Sequence, residues 1–292
     1  MKYATASAFR TALERRLVTT AEQTGVPLVR LRKLVVFDRL MARLMVAAPN
    51  RWVVKGAVAL HLRLGPGFRT TKDMDLGRQD SEEEATADFV AAQSLDLGDY
   101  FTFVVERTRK LDATEGTAVR YHVSAELAGR PFEDATVDVS FGETLIADPE
   151  LVRGPELLSF AGIPPAEVPA LRLEQHVAEK VHAYTRSYAG GRVSTRVKDL
   201  IDLVMMSSLF GFQAGRLSRA LQATFDARST HTLPASLPPP PSQWRAAYRR
   251  MAAEVGLDPD MSVGYERVKV FLDPILAGAP DKARWTPARQ SW

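Results

Sequence analysis

Apolar residues recur at helical spacing through the first fifty positions. Phe9, Leu13, Leu17 and Val18 predict a helix over 6–24, which Gly25-Val26-Pro27 stops. Leu28, Leu31, Val35, Leu40, Leu44 and Met45 repeat the pattern over 28–47, until Pro49-Asn50 ends it. The period then shortens. Trp52-Val53-Val54 reads as a short strand, Gly56 to Leu64 as a short helix, and Lys72–Gly77 as a strand carrying acids. A helix over 81–93 follows. Three strands are expected at Tyr100–Arg107, Thr117–Glu126 and Ala135–Phe141, the last with Val137 and Val139 in alternation. Beyond about residue 150 helical patterns dominate, at 170–188, 195–209, 212–227, 243–255 and 262–277. Leu233–Pro241, with five prolines, predicts an extended linker. The tail after Gly278 is polar and expected to be loose, although it holds Trp285 and Trp292. The pattern predicts an α+β chain: a mixed β-sheet core flanked by helices over 1–150, then a helical lobe over 151–292. No internal repeat is visible.

Composition narrows the class. The 292 residues are 46% hydrophobic and 25% charged, as in ordinary globular proteins, and suffice for one large domain or two smaller ones. No apolar run approaches the roughly 18 residues of a membrane span, and Arg10, Glu14, Arg15 and Arg16 interrupt any signal-peptide core. The absence of cysteine excludes disulfides, zinc–thiolate sites and a cysteine nucleophile. A cytoplasmic, monomeric protein is the simplest expectation.

The candidate chemistry begins at Asp73-Met74-Asp75. On a strand the two carboxylates share a face, and paired hard oxygen ligands suit Mg²⁺ with substrate phosphates. A solvated strand end is the plain alternative. Arg69 and Lys72 bring positive charge beside the acids. Upstream, Gly56 at a strand-to-helix turn would let backbone approach a phosphate at a helix N-terminus. Asp138 stands opposite Val137 and Val139 in its alternation, so it is either a third metal ligand or an exposed strand acid. On the later helices, Asp199 and Asp202 share one face with Lys198 one residue off it. Lys180 and Asp202 form either part of a site or a buried interhelix ion pair. His182 is read as an interior residue with no role.

These four segments (Gly56–Leu60, Arg69–Leu76, Val137–Gly142 and Lys180–Asp202) resemble the AbiEii-type nucleotidyltransferase toxins of bacterial toxin–antitoxin systems, in the DNA polymerase β-like nucleotidyltransferase superfamily. The likeness spans about residues 50–205, and the chain looks particularly like the mycobacterial members, which transfer nucleotides to the 3′ acceptor end of tRNA and block aminoacylation. Family members often carry a second glycine or a serine where this chain has Lys55 or Ala57. The resemblance implies a nucleotidyltransferase-like sheet core whose site the helical lobe completes. It implies catalytic roles for Asp73, Asp75, Lys180 and Asp202, with Mg²⁺ on Asp73 and Asp75 and Asp138 as the third candidate ligand. Gly56, Thr71, Lys72 and Lys198 would lie at the nucleoside triphosphate. tRNA and a cognate antitoxin would be the partners, and Thr71 a candidate phosphorylation site, because a phosphate there would set about two negative charges beside the metal pair.

Charge is unevenly spread. Residues 1–79 hold 15 Lys and Arg against 5 Asp and Glu, residues 80–167 hold 6 against 19, and residues 168–292 hold 17 against 11. Basic regions at both ends suit a polyanion such as RNA, or else serve acidic partners within the same protein. Two further readings stay open: an enzyme modifying a small molecule such as an antibiotic, and a non-catalytic nucleic-acid- or partner-binding protein.

Overall fold

In the computed structural model, residues 1–65, 73–111, 118–142, 144–186 and 196–292 are described, with backbone alone for 109–111. They form two compact units. One comprises Met1–Glu143 with Pro149–Leu171, the other Thr144–Asp148 with Arg172–Trp292.

The first unit begins as the periodicity predicts, with α1 (Ala6–Thr24) and α2 (Leu28–Ala47). Gly25 caps α1 in the left-handed conformation, donating to the Ala21 carbonyl. Strand β1 (Val53–Lys55) runs into α3 (Gly56–Leu64), and β2 (Asp73–Arg78) precedes α4 (Glu82–Gln93). Ser81 and Glu84 close a capping box on α4. Strands β3 (Phe101–Leu111), β4 (Ala118–Leu127) and β5 (Arg130–Phe141) form an antiparallel meander longer than the alternation alone suggested. Two short strands were not foreseen: β6 (Glu150–Arg153) and β7 (Glu167–Ala170). They complete a mixed seven-stranded sheet of order β3-β4-β5-β2-β1-β7-β6, in which β2 lies parallel to β5 and antiparallel to β1.

One sheet face is core. Val54, Met74, Leu76, Val119, Tyr121, Val123, Val137 and Val139 are all buried there, with α2 against β5 and α4 against β3. Burying such side chains contributes roughly 1.5–3 kcal/mol each. The opposite face carries the alternate residues: Asp73 and Asp75 on β2, Thr136 and Asp138 on β5, Arg120 and His122 on β4.

The core also consumes much of the basic charge. Arg43 is fully buried, donating to both Asp99 oxygens and to the Phe101 carbonyl. Arg78 lies over the Trp52 ring at 4.2 Å and is paired with Asp80 and Asp88. Arg63 bonds Glu150 and the Leu171 carbonyl, Arg32 bonds Glu14, and Arg10 bonds the carbonyls of Leu127, Arg130 and Pro131. Much of the positive charge of residues 1–79 is thus bonded within the first unit, the second of the two roles its charge pattern allowed.

The second unit is helical: α5 (Leu173–Thr185), α6 (Val197–Leu209), α7 (Ala214–Arg228), α8 (Arg245–Glu254) and α9 (Met261–Leu276). Helix α5 starts later than the predicted 170–188, because residues 167–170 belong to β7. The proline-rich stretch is extended, as predicted, but bound to its own unit. Leu237 is buried and its N–H donates to Asp273, while Tyr184 and Tyr265 donate to the carbonyls of Pro238 and Leu237. The tail is not loose. Arg284–Trp285 pairs as a strand with Phe212–Gln213, Trp285 is buried with its indole N–H on the Ser207 carbonyl, and Trp292 stacks on Phe271 at 5.6 Å. The two indoles supply the apolar area that the tail's polar composition concealed.

Candidate functional site

In the first unit, the strand–turn–helix at β1 and α3 and the alternation of β2 bring three of the predicted residues together. Gly56 opens α3 with φ +58°, and a Cβ built there would fall 1.9 Å from Asp75 Oδ2. Any side chain larger than hydrogen would collide with the carboxylate, so the glycine is required twice, by its backbone and by its neighbour. Asp75 is thus held against the first residue of a nine-residue helix, where the backbone N–H groups favour negative charge.

Asp75 pairs in register with Lys55 on one side and Asp138 on the other, and Asp138 in turn with Arg120. These four side chains therefore form one row across β1, β2, β5 and β4 on the polar face, spaced by about 5 Å per strand. Asp73 occupies the next row with Thr136 and His122. Lys55 is buried, and its stem passes Gly77, where a Cβ would lie 3.0 Å from Lys55 Cδ. Arg120 Nε donates to Asp138 Oδ1 and Nη2 to Oδ2, both at 2.7 Å, and Nη2 lies 3.7 Å from Asp73 Oδ2. That hydrogen bonding, with the charges of Asp138, Asp73 and Asp75, raises the pKa of the Arg120 guanidinium above its usual value. Sequence patterning missed Arg120 and Lys55, since only strand register reveals which cations face the acids.

Asp73 and Asp75 suit a hard divalent cation. Both donor sets are carboxylate oxygens, Asp73 is 40% exposed, and the Gly56 cradle leaves Asp75 room beside a helix N-terminus. Asp138 is differently engaged, with both oxygens taken by Arg120. Among the described residues no three His, Cys, Asp or Glu side chains are gathered so as to hold a metal ion. Thr71 and Lys72, with Arg69, lie outside the described residues.

In the second unit α5 and α6 bring Lys180, Asp199 and Asp202 together. The Lys180 ammonium lies 2.9 Å from Asp199 Oδ1 and 2.9 Å from Asp202 Oδ2, and both acids are almost fully buried. The two carboxylates occur one turn apart because the helix repeats every 3.6 residues. Lys198 is exposed and lies off this face. His182 is buried in a polar cluster, its Nε2 2.8 Å from Thr230 Oγ1 and its ring 4.6 Å from that of His231. Desolvation, with Arg228, His231, Arg186 and Arg196 nearby, pushes its pKa down to about 4.

An apolar crevice in the first unit, lined by Phe37, Met41, Val58 and Val168, holds none of the candidate residues. No described helix is long and apolar enough to cross a membrane.

Comparison with known proteins bears on the fold and the family. Among solved structures the chain resembles MenT4, a nucleotidyltransferase toxin from Mycobacterium tuberculosis H37Rv, with a TM-score of 0.58 and 19% identity over 96% of this chain and 92% of that one. JHP933 from Helicobacter pylori aligns at 15% identity over 84% of this chain and 88% of that one, with a TM-score of 0.42. At these identities the MenT4 likeness speaks for the fold. No curated protein sequence matches significantly. Residues 39–276, most of the chain and all of the candidate residues, match the family described as "Nucleotidyl transferase AbiEii toxin, Type IV TA system". The chain belongs to the AbiEii family of nucleotidyltransferase toxins.

Proposed function

We propose that the protein transfers a nucleoside monophosphate from a nucleoside triphosphate to the 3′ acceptor end of tRNA, in a Mg²⁺-dependent reaction that blocks aminoacylation and so translation. The observation that carries this reading is the placement of Asp73 and Asp75 on one sheet face, with Asp75 seated against Gly56 at the start of α3. Asp73 and Asp75 would hold the metal, which when bound neutralises phosphate charge and makes the attacking hydroxyl more acidic. The N–H groups opening α3 present donors to a phosphate at the same place. The family resemblance is what assigns Lys180 to the nucleotide phosphates; within its own unit Asp199 and Asp202 fix its ammonium with two short bonds. Thr71, two residues before Asp73, is the site at which phosphorylation would silence the enzyme, and mass spectrometry of protein co-produced with its antitoxin checks this.

A second reading, transfer to a small acceptor such as an aminoglycoside, is favoured by one observation: the arginines of the first unit are largely committed to internal partners. One experiment separates the readings. The protein and its Asp73→Ala variant are incubated with Mg²⁺, each labelled nucleoside triphosphate, and either total RNA or aminoglycosides. Label on tRNA with wild type alone supports the first reading, label on the aminoglycoside the second. Absence of transfer by a folded wild type refutes both and leaves a binding protein.

A further inference from the structure

The row Lys55, Asp75, Asp138, Arg120 sets a guanidinium on Asp138, the candidate third ligand to the metal. We propose that Arg120 is the counter-ion of this acid cluster: it holds Asp138 away from Asp73 and Asp75, and a divalent cation and nucleotide must displace it together. The proposal rests on the reading that Asp73 and Asp75 hold a divalent cation.

Three observations support it. Asp138 stands next to Asp75 in the β2–β5 register on the same face, so position alone does not keep it from sharing a cation with that residue. Both of its oxygens are nonetheless turned to β4, each bonded to Arg120 at 2.7 Å. The same Nη2 sits 3.7 Å from Asp73, so one guanidinium straddles two strands of acids. A bidentate arginine–carboxylate pair is directional as well as charged, and it stays protonated at any working pH. It therefore opposes a bare cation in two ways, by occupying ligand oxygens and by like-charge repulsion.

A triphosphate changes the balance. Its oxygens offer the guanidinium the same planar fork that Asp138 offers, with more negative charge. Moving Arg120 from Asp138 to phosphate releases a carboxylate and removes the repulsion at one stroke. Metal and nucleotide then bind cooperatively, and Arg120 is a positioning and phosphate-binding residue. The Arg120 side chain is 29% exposed, which leaves it room to make this exchange without unfolding a strand.

The test is a titration of the full chain with Mn²⁺ alone, read by electron paramagnetic resonance of free Mn²⁺, and repeated with a non-hydrolysable nucleoside triphosphate. Wild type, Arg120→Gln, Arg120→Lys, Asp138→Asn, the Arg120→Gln/Asp138→Asn double variant and Asp73→Asn are compared, with circular dichroism melting to confirm folding. Arg120→Gln is expected to bind Mn²⁺ about tenfold tighter than wild type without nucleotide, from removal of one nearby positive charge, and to bind the nucleotide more weakly. Arg120→Lys should fall between. The gain should shrink in the Asp138→Asn background, where only the charge repulsion is left to relieve. Unchanged or weakened Mn²⁺ binding in folded Arg120→Gln overturns the proposal, as does an equal gain with Asp138→Asn present. If neither wild type nor Arg120→Gln binds Mn²⁺, even with nucleotide and beyond what the nucleotide alone chelates, or if Asp73→Asn binds it as well as wild type does, the underlying metal reading fails and the proposal with it.

Discussion

Replacing Gly56 by alanine tests the acid cradle most directly. The new Cβ would lie 1.9 Å from Asp75 Oδ2, 2.8 Å from its Cγ and 3.1 Å from its Cβ. Rotating the aspartate about χ1 clears the first two contacts but not the third, because the Asp75 Cβ does not move with that rotation. The carboxylate must swing away, and β1 or β2 must also yield by a few tenths of an ångström. A second cost is conformational, since φ is +58° and L-residues lose about 1–2 kcal/mol in that region. Gly25 provides the control: it has φ +71° and no atom within 4 Å of a built Cβ, so Gly25→Ala reports the backbone cost alone. Gly56→Ala should destabilise by about 2–4 kcal/mol, the excess over Gly25→Ala being the collision and the crowding that follows. At roughly 3 °C per kcal/mol for a unit of this size, the melting temperature falls by about 3–6 °C for Gly25→Ala and about 6–12 °C for Gly56→Ala. Because Asp75 is displaced, nucleotide transfer should drop about 100-fold below the melting range, while Gly25→Ala keeps wild-type rates. Calorimetry and an initial-rate transfer assay read the two effects. A Gly56→Ala variant as stable as Gly25→Ala and fully active would refute the cradle.

Other substitutions address the helical unit. Lys180→Met removes the ammonium shared by two buried carboxylates, leaving Arg196 3.7 Å from Asp199, and should cost about 3–5 kcal/mol in urea unfolding at pH 7, most of it recovered when Asp199→Asn and Asp202→Asn are added. If the single substitution is neutral, the Lys180 ammonium does not stabilise the two buried acids. The His182 pKa of about 4 lies below the unfolded value of about 6.5, so its contribution is present above pH 6.5 and is lost as pH falls towards 4. The loss amounts to about 3 kcal/mol over that window. His182→Asn should flatten the stability–pH curve there, and an unaltered slope in urea titrations at pH 7 and pH 5 would show that another group is responsible. Trp285→Ala removes a buried indole and its bond to Ser207 and should lower stability by about 3–5 kcal/mol in the same assay; a change below 1 kcal/mol would mean the tail contributes little.

Helices were legible where apolar spacing and stop signals agreed. Gly25-Val26-Pro27 separates α1 and α2 at the predicted residues, and α3 and α6 begin within two residues of expectation. Strand alternation likewise placed Asp138 on the face of Asp73 and Asp75. Strands β6 and β7 escaped because each has four residues, too few for a period to show, and prolines surround them. The C-terminal tail escaped because two tryptophans, far apart from Phe271 in sequence, decide its fold. Arg120 was invisible for the same reason: its acid partner is set by the register of β4 on β5, which no local pattern encodes. The charge excess of residues 1–79 did not choose between its two roles because a sum of charges does not distinguish a solvated arginine from Arg43 or Arg78 in the core.

The late arrival of β7 along the chain has a consequence for biosynthesis. Strand β1 pairs with β2 on one side and, through Val54 and Ala170, with β7 on the other. Until Glu167–Ala170 has been made, β1 is an edge, and a chain ending near residue 150 would keep it so. Open edges recruit other chains, and this one carries Val53 and Val54, with only Lys55 between them and the glycine that seats Asp75. A nascent or truncated chain should therefore aggregate through the strand that leads into the acid cradle, and the β6–β7 hairpin acts as the fold's own chaperone for it.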